Sequence, residues 1–119
     1  MGLYEADLDG ANLSDANLSG AYLSIADLND SDLTGANLTG ANLSGAQLHW
    51  VSFRGADLTG ADLNEAELFH ADLTRADLTN AHLSDANLSD ANLTGANLTG
   101  VNLAHTDLTG ANLTGTEGQ

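Results

Sequence analysis

Residues 86–100 read ANLSDANLTGANLTG, which is three in-register copies of one five-residue unit. The unit continues on both sides, because leucine recurs at every fifth residue from Leu3 to Leu113. Of these 23 central positions, 22 hold leucine and the remaining one holds Phe53. Alanine stands two residues before the centre at 18 of 22 positions, and Asp or Asn directly precedes the centre at 17 of 22. A fixed short period of this kind indicates a repeat architecture.

A period of five residues fits neither an α-helix nor a flat strand. On a helix, five residues turn through about 500°, so successive leucines would spread around the whole surface. On a flat strand, successive leucines would point to opposite faces. A chain that turns a corner once in every five residues keeps all the leucines inside. Four such corners close a coil of about 20 residues, and the sequence therefore predicts a solenoid of coils stacked at about 4.8 Å.

The unit resembles the A(D/N)LXX motif of the pentapeptide repeat family, and the resemblance covers residues 1–115. It implies an all-β fold, a right-handed quadrilateral β-helix of about six coils with about 20 residues in each, whose interior is lined by leucine and alanine. On this interpretation residues 1–115 form a single uninterrupted repeat domain, and residues 116–119 form a short polar C-terminal tail.

Some positions depart from the unit. Val51, Val101 and Thr106 replace alanine in a narrow interior, so we expect each to bulge slightly or to fill space left by its neighbours. At the corners, a type II turn needs a positive φ at its third residue, which favours glycine or asparagine. Glycine occupies 11 of the 23 corner positions. Ile25 and Trp50 resist a positive φ because their side chains are branched or bulky, so we predict other turn types there.

The composition excludes several classes of function. The 119 residues include two Lys+Arg and 17 Asp+Glu, for a formal net charge of −15. Direct binding of nucleic acid or of an anionic membrane surface needs cations and is therefore excluded. The chain has no cysteine for disulfides or thiolate metal sites. The first residues show no basic and apolar regions of a signal peptide, and such repeats are abundant in bacteria, so we expect a bacterial cytoplasmic protein.

One group of residues predicts an interaction patch. Residues 20 apart would stack in one column, which places His49 under Phe69 and Trp50 under His70. Clustered exposed aromatic side chains mark interfaces. With two arginines on the next face, the candidate interaction patch comprises His49, Trp50, Phe69, His70, Arg54 and Arg75. The alternative interpretation is that the rings stack only on each other, on a surface that tolerates substitution.

Catalysis is not predicted. The serines and threonines repeat along a convex rod and lack the sheltered cleft, base and orienting group that a nucleophile needs. No column brings three metal ligands together, so we assign no catalytic, cofactor-binding or metal-binding residue. The chemistry predicts a non-catalytic structural or protein-interaction scaffold with an unidentified protein partner.

A second interpretation and an oligomeric state remain open at this point. The alternative function is an acidic DNA mimic that binds a DNA-binding enzyme such as DNA gyrase, as some members of the resembled family do. The net charge corresponds to one charge per about 1.9 Å of rod, against about 1.7 Å in B-DNA. Exposed leucines on the end coils also predict end-to-end homo-oligomers or a frayed last coil.

Overall fold

The repeating unit folds as one short extended segment followed by a two-residue turn. The computed structural model describes residues Met1–Gln119, and no part of it forms a helix of the length and apolarity that a membrane crossing requires. The residue before each central leucine forms a parallel bridge to its counterpart 20 residues later, and no strand is longer than this single residue. The bridges join Gly2–Tyr22, Asp7–Asp27, Asn12–Asp32, Asn17–Asn37, Tyr22–Asn42, Asp27–Gln47, Asp32–Ser52, Asn37–Asp57, Asn42–Asp62, Gln47–Glu67, Ser52–Asp72, Asp57–Asp77, Asp62–His82, Glu67–Asn87, Asp72–Asn92, Asp77–Asn97, Asn87–Asp107, Asn92–Asn112 and Asn97–Glu117.

These bridges define a four-sided β-helix solenoid with 20 residues per coil. We number its faces by their first leucine: face 1 begins at Leu3, face 2 at Leu8, face 3 at Leu13 and face 4 at Leu18, and each continues at intervals of 20 residues. The last residue of each unit lies on the edge between one face and the next. The molecule measures 32 × 21 × 20 Å along its principal axes.

Backbone hydrogen bonds tie each coil to its neighbours. The N–H of Leu3 donates to the carbonyl of Tyr22 over 2.8 Å, and the N–H of Tyr22 donates back to the carbonyl of Met1 over 2.7 Å. Within the turn, the N–H of Ala6 donates to the carbonyl of Leu3 over 3.0 Å. This pattern recurs along the chain and accounts for most of the 80 backbone hydrogen bonds. The stacked coils therefore satisfy the buried backbone groups that a flat sheet would satisfy with long strands.

The interior is one continuous column of apolar side chains. Thirty-three buried residues, mainly the leucines and alanines of the unit, form a single cluster. Phe53 is fully buried in place of a leucine. Ser31 is the one buried polar residue, and its hydroxyl donates to the carbonyl of Leu28 over 2.6 Å. The prediction that leucine and alanine line the interior is confirmed.

The prediction about the corners is wrong. Ile25 has a φ of 60° and Trp50 a φ of 59°, and every one of the 23 corner residues has a positive φ, whatever its side chain. The reason lies in the neighbouring coils: the corner N–H of Trp50 donates to the carbonyl of Phe69 over 3.0 Å, and that of Ile25 to the carbonyl of Ser44 over 3.0 Å. A different turn would break these hydrogen bonds. Their loss would cost more free energy than the left-handed conformation does, which is about 1–2 kcal/mol for a residue with a side chain.

The bulky residues at alanine positions behave differently from one another. Val51 is buried, and the bridges around it continue without a break. Between Val101 and Thr106 the ladder is interrupted, because Asn102 forms no bridge to the preceding coil. The hydroxyl of Thr106 donates to the carbonyl of Leu83 over 2.9 Å. Residues larger than alanine at two successive inward positions, Val101 and Thr106, therefore displace the backbone. A single larger residue, Val51, fits without breaking the bridges.

Residues 116–119 continue the stack. Glu117 forms a bridge to Asn97, and the side-chain amide of Gln119 donates to the carbonyls of Leu98 and Val101 over 3.0 and 2.9 Å. These polar residues thus pair with the preceding coil. End-to-end association of copies stays a prediction.

Replacement of Ile25 by glycine tests the account of the corners. We expect Ile25→Gly to raise the free energy of unfolding by about 1 kcal/mol, because a β-branched residue at positive φ is strained and glycine is not. Urea denaturation measures the difference. The control is Thr39→Gly, at a turn residue with negative φ. Because glycine loses more conformational freedom on folding than threonine does, the free energy of unfolding should fall by about 0.5–1 kcal/mol. A less stable Ile25→Gly protein would contradict the account.

Candidate functional site

The edge between faces 2 and 3 carries four interlocking rings, which we call the aromatic cluster: His49, Trp50, Phe69 and His70. Trp50 and His70 stack face to face with centroids 4.1 Å apart and planes inclined by 6°. His49 meets Phe69 edge-on at 6.0 Å, and Phe69 meets His70 edge-on at 4.2 Å. The column arithmetic predicted both contacts between coils, and the structure adds the third contact, between neighbours in the chain.

The backbone holds these rings at a fixed spacing. His49 and Phe69 are the residues after the central leucines of face 2, and Trp50 and His70 are the corner residues that follow. Trp50 and His70 have φ values of 59° and 57°, so both side chains leave the edge in the same direction. The amide oxygen of Asn29 accepts the N–H of His49 over 2.8 Å. The cluster is therefore preorganised by the ladder rather than by the rings alone.

The cluster combines exposed aromatic surface with nearby negative charge. The side chain of Trp50 is 59% exposed, while the other three rings are half-buried. Nε2 of His70 lies 3.7 Å from Oδ2 of Asp90 in the next coil. Face 2 and its following edge hold seven of the 17 acidic residues, namely Asp7, Asp9, Asp27, Asp30, Glu67, Asp90 and Asp107. This part of the surface is thus both the most aromatic and the most acidic.

The two arginines of the predicted patch do not join the cluster. Arg54 lies on face 3, where its Nη1 is 3.2 Å from Oδ2 of Asp72. Arg75 occupies the edge between faces 3 and 4, with its side-chain stem against Gly95. The structure therefore separates the six predicted residues into four rings on one edge and two arginines beyond it.

Hydrogen bonds from threonine lower the pKa values of several carboxyl groups. For Asp32, Asp57 and Asp107, the hydroxyl and then the backbone N–H of the threonine two residues later hold the pKa below its ordinary value. Partial burial raises the pKa of Asp72, but hydrogen bonds from Thr74 and the charge of Arg54 outweigh it, and the pKa is lowered. At these four carboxyl groups, the threonine two residues later therefore favours the ionised form.

A recess on the edge between faces 1 and 2 was not predicted. It lies around Gly45, with Ile25 one coil below and Glu65 one coil above. The signal was present in the sequence, because reading every twentieth residue gives Ile25, Gly45 and Glu65 in one column. No group of three or more His, Asp or Glu side chains converges as a metal site would require.

The repeating unit matches a known protein family. The family model described as "Pentapeptide repeats (8 copies)" matches this chain over residues 3–40, 46–85 and 76–115. The chain belongs to the pentapeptide repeat family. No curated protein gives a significant match.

Solved pentapeptide repeat structures are similar over most of the chain. HetL from the cyanobacterium Nostoc sp. strain PCC 7120, described as involved in heterocyst differentiation regulation, is 36% identical with a TM-score of 0.80. The match covers 98% of this chain, which spans 63% of the HetL chain. The protein alr5209 from Nostoc PCC 7120 is 35% identical with a TM-score of 0.71, over 86% of this chain and 84% of that one.

A more distant structure shares the fold. A trypsin-treated form of QnrB1, described as a plasmid-mediated fluoroquinolone resistance protein, is 20% identical with a TM-score of 0.61. The match covers 93% of this chain and 69% of that one. The same fold therefore occurs in proteins with different described roles, so the fold does not assign the function.

Replacing Thr74 tests the electrostatics beside the aromatic cluster. We expect Thr74→Val to raise the pKa of Asp72, and Arg54→Met to raise it by less, as carboxyl NMR titration would measure. Because the folded-state pKa of Asp72 is lowered, its carboxylate stabilises the fold above the unfolded pKa of about 3.9, and this contribution is lost as pH falls through the folded value.

Thr74→Val should therefore lose less stability between neutral pH and about pH 2 than the parent protein. The pKa of Asp107, which has its own threonine partner, serves as the control and should not change. An unchanged pKa of Asp72 in both variants would contradict the assignment.

Proposed function

We propose that the protein is a non-catalytic interaction scaffold that binds a protein partner through face 2. The observation that carries this proposal is the aromatic cluster, in which Trp50 projects from a prism whose consensus side chains are small and polar. Exposed aromatic side chains are enriched at interfaces and supply much of the binding free energy there. HetL, at 36% identity, is described as involved in a regulatory process, which agrees with a binding role.

The geometry of the cluster supports binding in a second way. When binding immobilises a flexible side chain at an interface, the binding free energy becomes less favourable by about 0.5–1.5 kcal/mol. Here the stacked pair of Trp50 and His70, at 4.1 Å, is already held in place. Burial of such an ordered ring therefore adds affinity with little loss of side-chain entropy.

The arrangement of the hydroxyl groups supports a non-catalytic role. Most of the bonded consensus hydroxyls serve the turn: Oγ1 of Thr79 donates to Oδ1 of Asp77 over 2.6 Å, and Oγ of Ser89 donates to Oδ1 of Asn87 over 2.6 Å. These groups lie on outward faces and not in a cleft that excludes water. An activated nucleophile needs a base, an orienting group and shelter, and the repeat supplies a structural hydrogen bond instead.

Affinity capture with paired variants tests the scaffold proposal. We expect the double variant Trp50→Ala/Phe69→Ala to reduce partner binding at least tenfold, because truncation of a central aromatic residue typically costs about 2 kcal/mol or more. The matched control is Thr39→Ala/Thr59→Ala on face 4, which should bind as the parent does. Equal capture by all three proteins would count against face 2 as the binding surface.

A second candidate function is mimicry of DNA, and the charge density favours it. A net charge of −15 along 32 Å gives one charge per about 2.1 Å, close to the value of about 1.7 Å for B-DNA. From the family resemblance we infer that the chain winds into about six right-handed coils. B-DNA is also right-handed. The concentration of seven carboxylates on face 2 and its edge differs from the even spacing of phosphates along a duplex.

A DNA gyrase supercoiling assay distinguishes the two candidates. A DNA mimic should inhibit supercoiling at micromolar concentration, and Asp27→Asn/Glu67→Gln should weaken the inhibition because it removes charge from face 2. Absence of inhibition by the parent protein would dispose of gyrase-directed mimicry and leave the scaffold proposal intact.

A further inference from the structure

A concave site lies on the other edge of face 2, between faces 1 and 2. It is an open recess of about 360 Å³ centred on Gly45. Its cause is a missing side chain: the corner column reads Ile25, Gly45 and Glu65 in successive coils, which lie about 4.8 Å apart. A Cβ at Gly45 would lie 3.5 Å from Cγ1 of Ile25, so the glycine leaves empty the volume that a corner side chain would fill.

The walls of the recess differ in chemistry. On one side is the aliphatic side chain of Ile25, which is 50% exposed. On the other side are the carboxyl groups of Glu65 and Asp62. The floor contains the hydroxyls of Ser24 and Ser44, which are 3.0 Å apart and hydrogen-bonded to each other. One apolar wall faces one anionic wall across a polar floor.

Neither carboxyl group of the recess forms an ion pair within the protein. The chain has only two arginines and no lysine. Arg54 pairs with Asp72 on face 3, and Arg75 lies on the edge between faces 3 and 4. Oδ1 of Asp62 accepts the backbone N–H of Asn64 over 3.0 Å, which leaves its other oxygen available. The missing positive charge is one that a ligand can supply.

This combination selects a cation carried on an apolar stem. An anion would meet two carboxylates, and a small apolar molecule would contact only one apolar side chain. Arginine places its methylene stem along apolar surface and its guanidinium against carboxylates, with paired hydrogen bonds and weak hydration. Lysine offers the same charge without the planar, two-pronged geometry. We propose that the recess at Gly45 binds an arginine side chain of a protein partner.

The position of the recess relates it to the aromatic cluster, and this step alone rests on the proposed function. Gly45 and Trp50 are successive corners of one coil, so the recess and the cluster border face 2 at the same level. The five-residue step from Gly45 to Trp50 spans at most about 17 Å. One partner segment lying across face 2 therefore reaches both, with arginine at one edge and an apolar contact at the other.

NMR titration of the full chain with N-acetyl-arginine amide tests the recess by itself. We expect saturable shifts of the amide signals of Gly45 and Glu65, with millimolar affinity. N-acetyl-citrulline amide has the same shape without the charge, and its binding should be at least tenfold weaker. Equal shifts with citrulline would overturn the proposal. Equal shifts at Asp57 and Asp77 on face 4 would also overturn it, because they would indicate only general attraction to an acidic protein.

Filling the recess provides the matched variants. Gly45→Gln should abolish the saturable shifts, and the backbone tolerates it because Ile25 and Trp50 adopt the same positive φ. The control Gly60→Gln lies on the edge after face 4, where nothing stands within 4 Å of a new Cβ, and it should bind as the parent does. Glu65→Gln should weaken binding about fivefold or more. Equal loss in both glycine variants would contradict a local site.

The outcomes separate this proposal from the scaffold proposal. Trp50→Ala/Phe69→Ala should leave the binding of N-acetyl-arginine amide unchanged, since the rings do not line the recess. If the titration fails while capture of a partner still depends on Trp50, the arginine site is overturned and the scaffold proposal stands. If the titration succeeds while capture is indifferent to Trp50 and Phe69, the recess stands without the aromatic cluster.

Discussion

Backbone hydrogen bonds between successive coils are the constraint on which the rest of this structure depends. Along most of the chain, the N–H of the central leucine and that of the corner residue donate to the following coil, and the N–H of the residue before the leucine donates to the preceding coil. No coil can satisfy these groups alone, so the fold exists only as a stack. The stack in turn fixes the register of every outward side chain. The contact between Trp50 and His70 at 4.1 Å is a consequence of that register.

The same constraint explains which features could be predicted. The leucine period alone gives the direction of each side chain, so the buried column and the pairing of His49 with Phe69 followed from counting. The corner conformation at Ile25 does not follow from its own side chain, because hydrogen bonds to the next coil decide it. The recess at Gly45 is not evident along the chain because it arises from the contrast between a glycine and the larger side chains of Ile25 and Glu65, which are 20 residues away on either side.

Face 4 shows what folding requires of an outward surface. Its residues after the central leucines are Ser19, Thr39, Thr59, Thr79 and Thr99, and those before them are mostly Asn and Asp. These small side chains support a complete ladder, so the fold needs nothing larger. Face 2 departs from this pattern with His49, Phe69 and a high share of the carboxylates. Stacked like charges destabilise a folded protein, and folding gives no reason to place them together, whereas binding of a basic partner does.

Rigidity also determines what kind of specificity such a surface can have. Loops adapt to a partner at the cost of ordering, but the edges on both sides of face 2 are held by the turn and by both neighbouring coils. The distance between Gly45 and Trp50 is therefore set by the width of one face and cannot adjust. In the proposed complex, a partner is selected by how far apart it carries its cationic and apolar groups as well as by their chemistry. The five-residue period, which arises from the need to bury leucine, thus also sets the spacing of the two proposed contact sites.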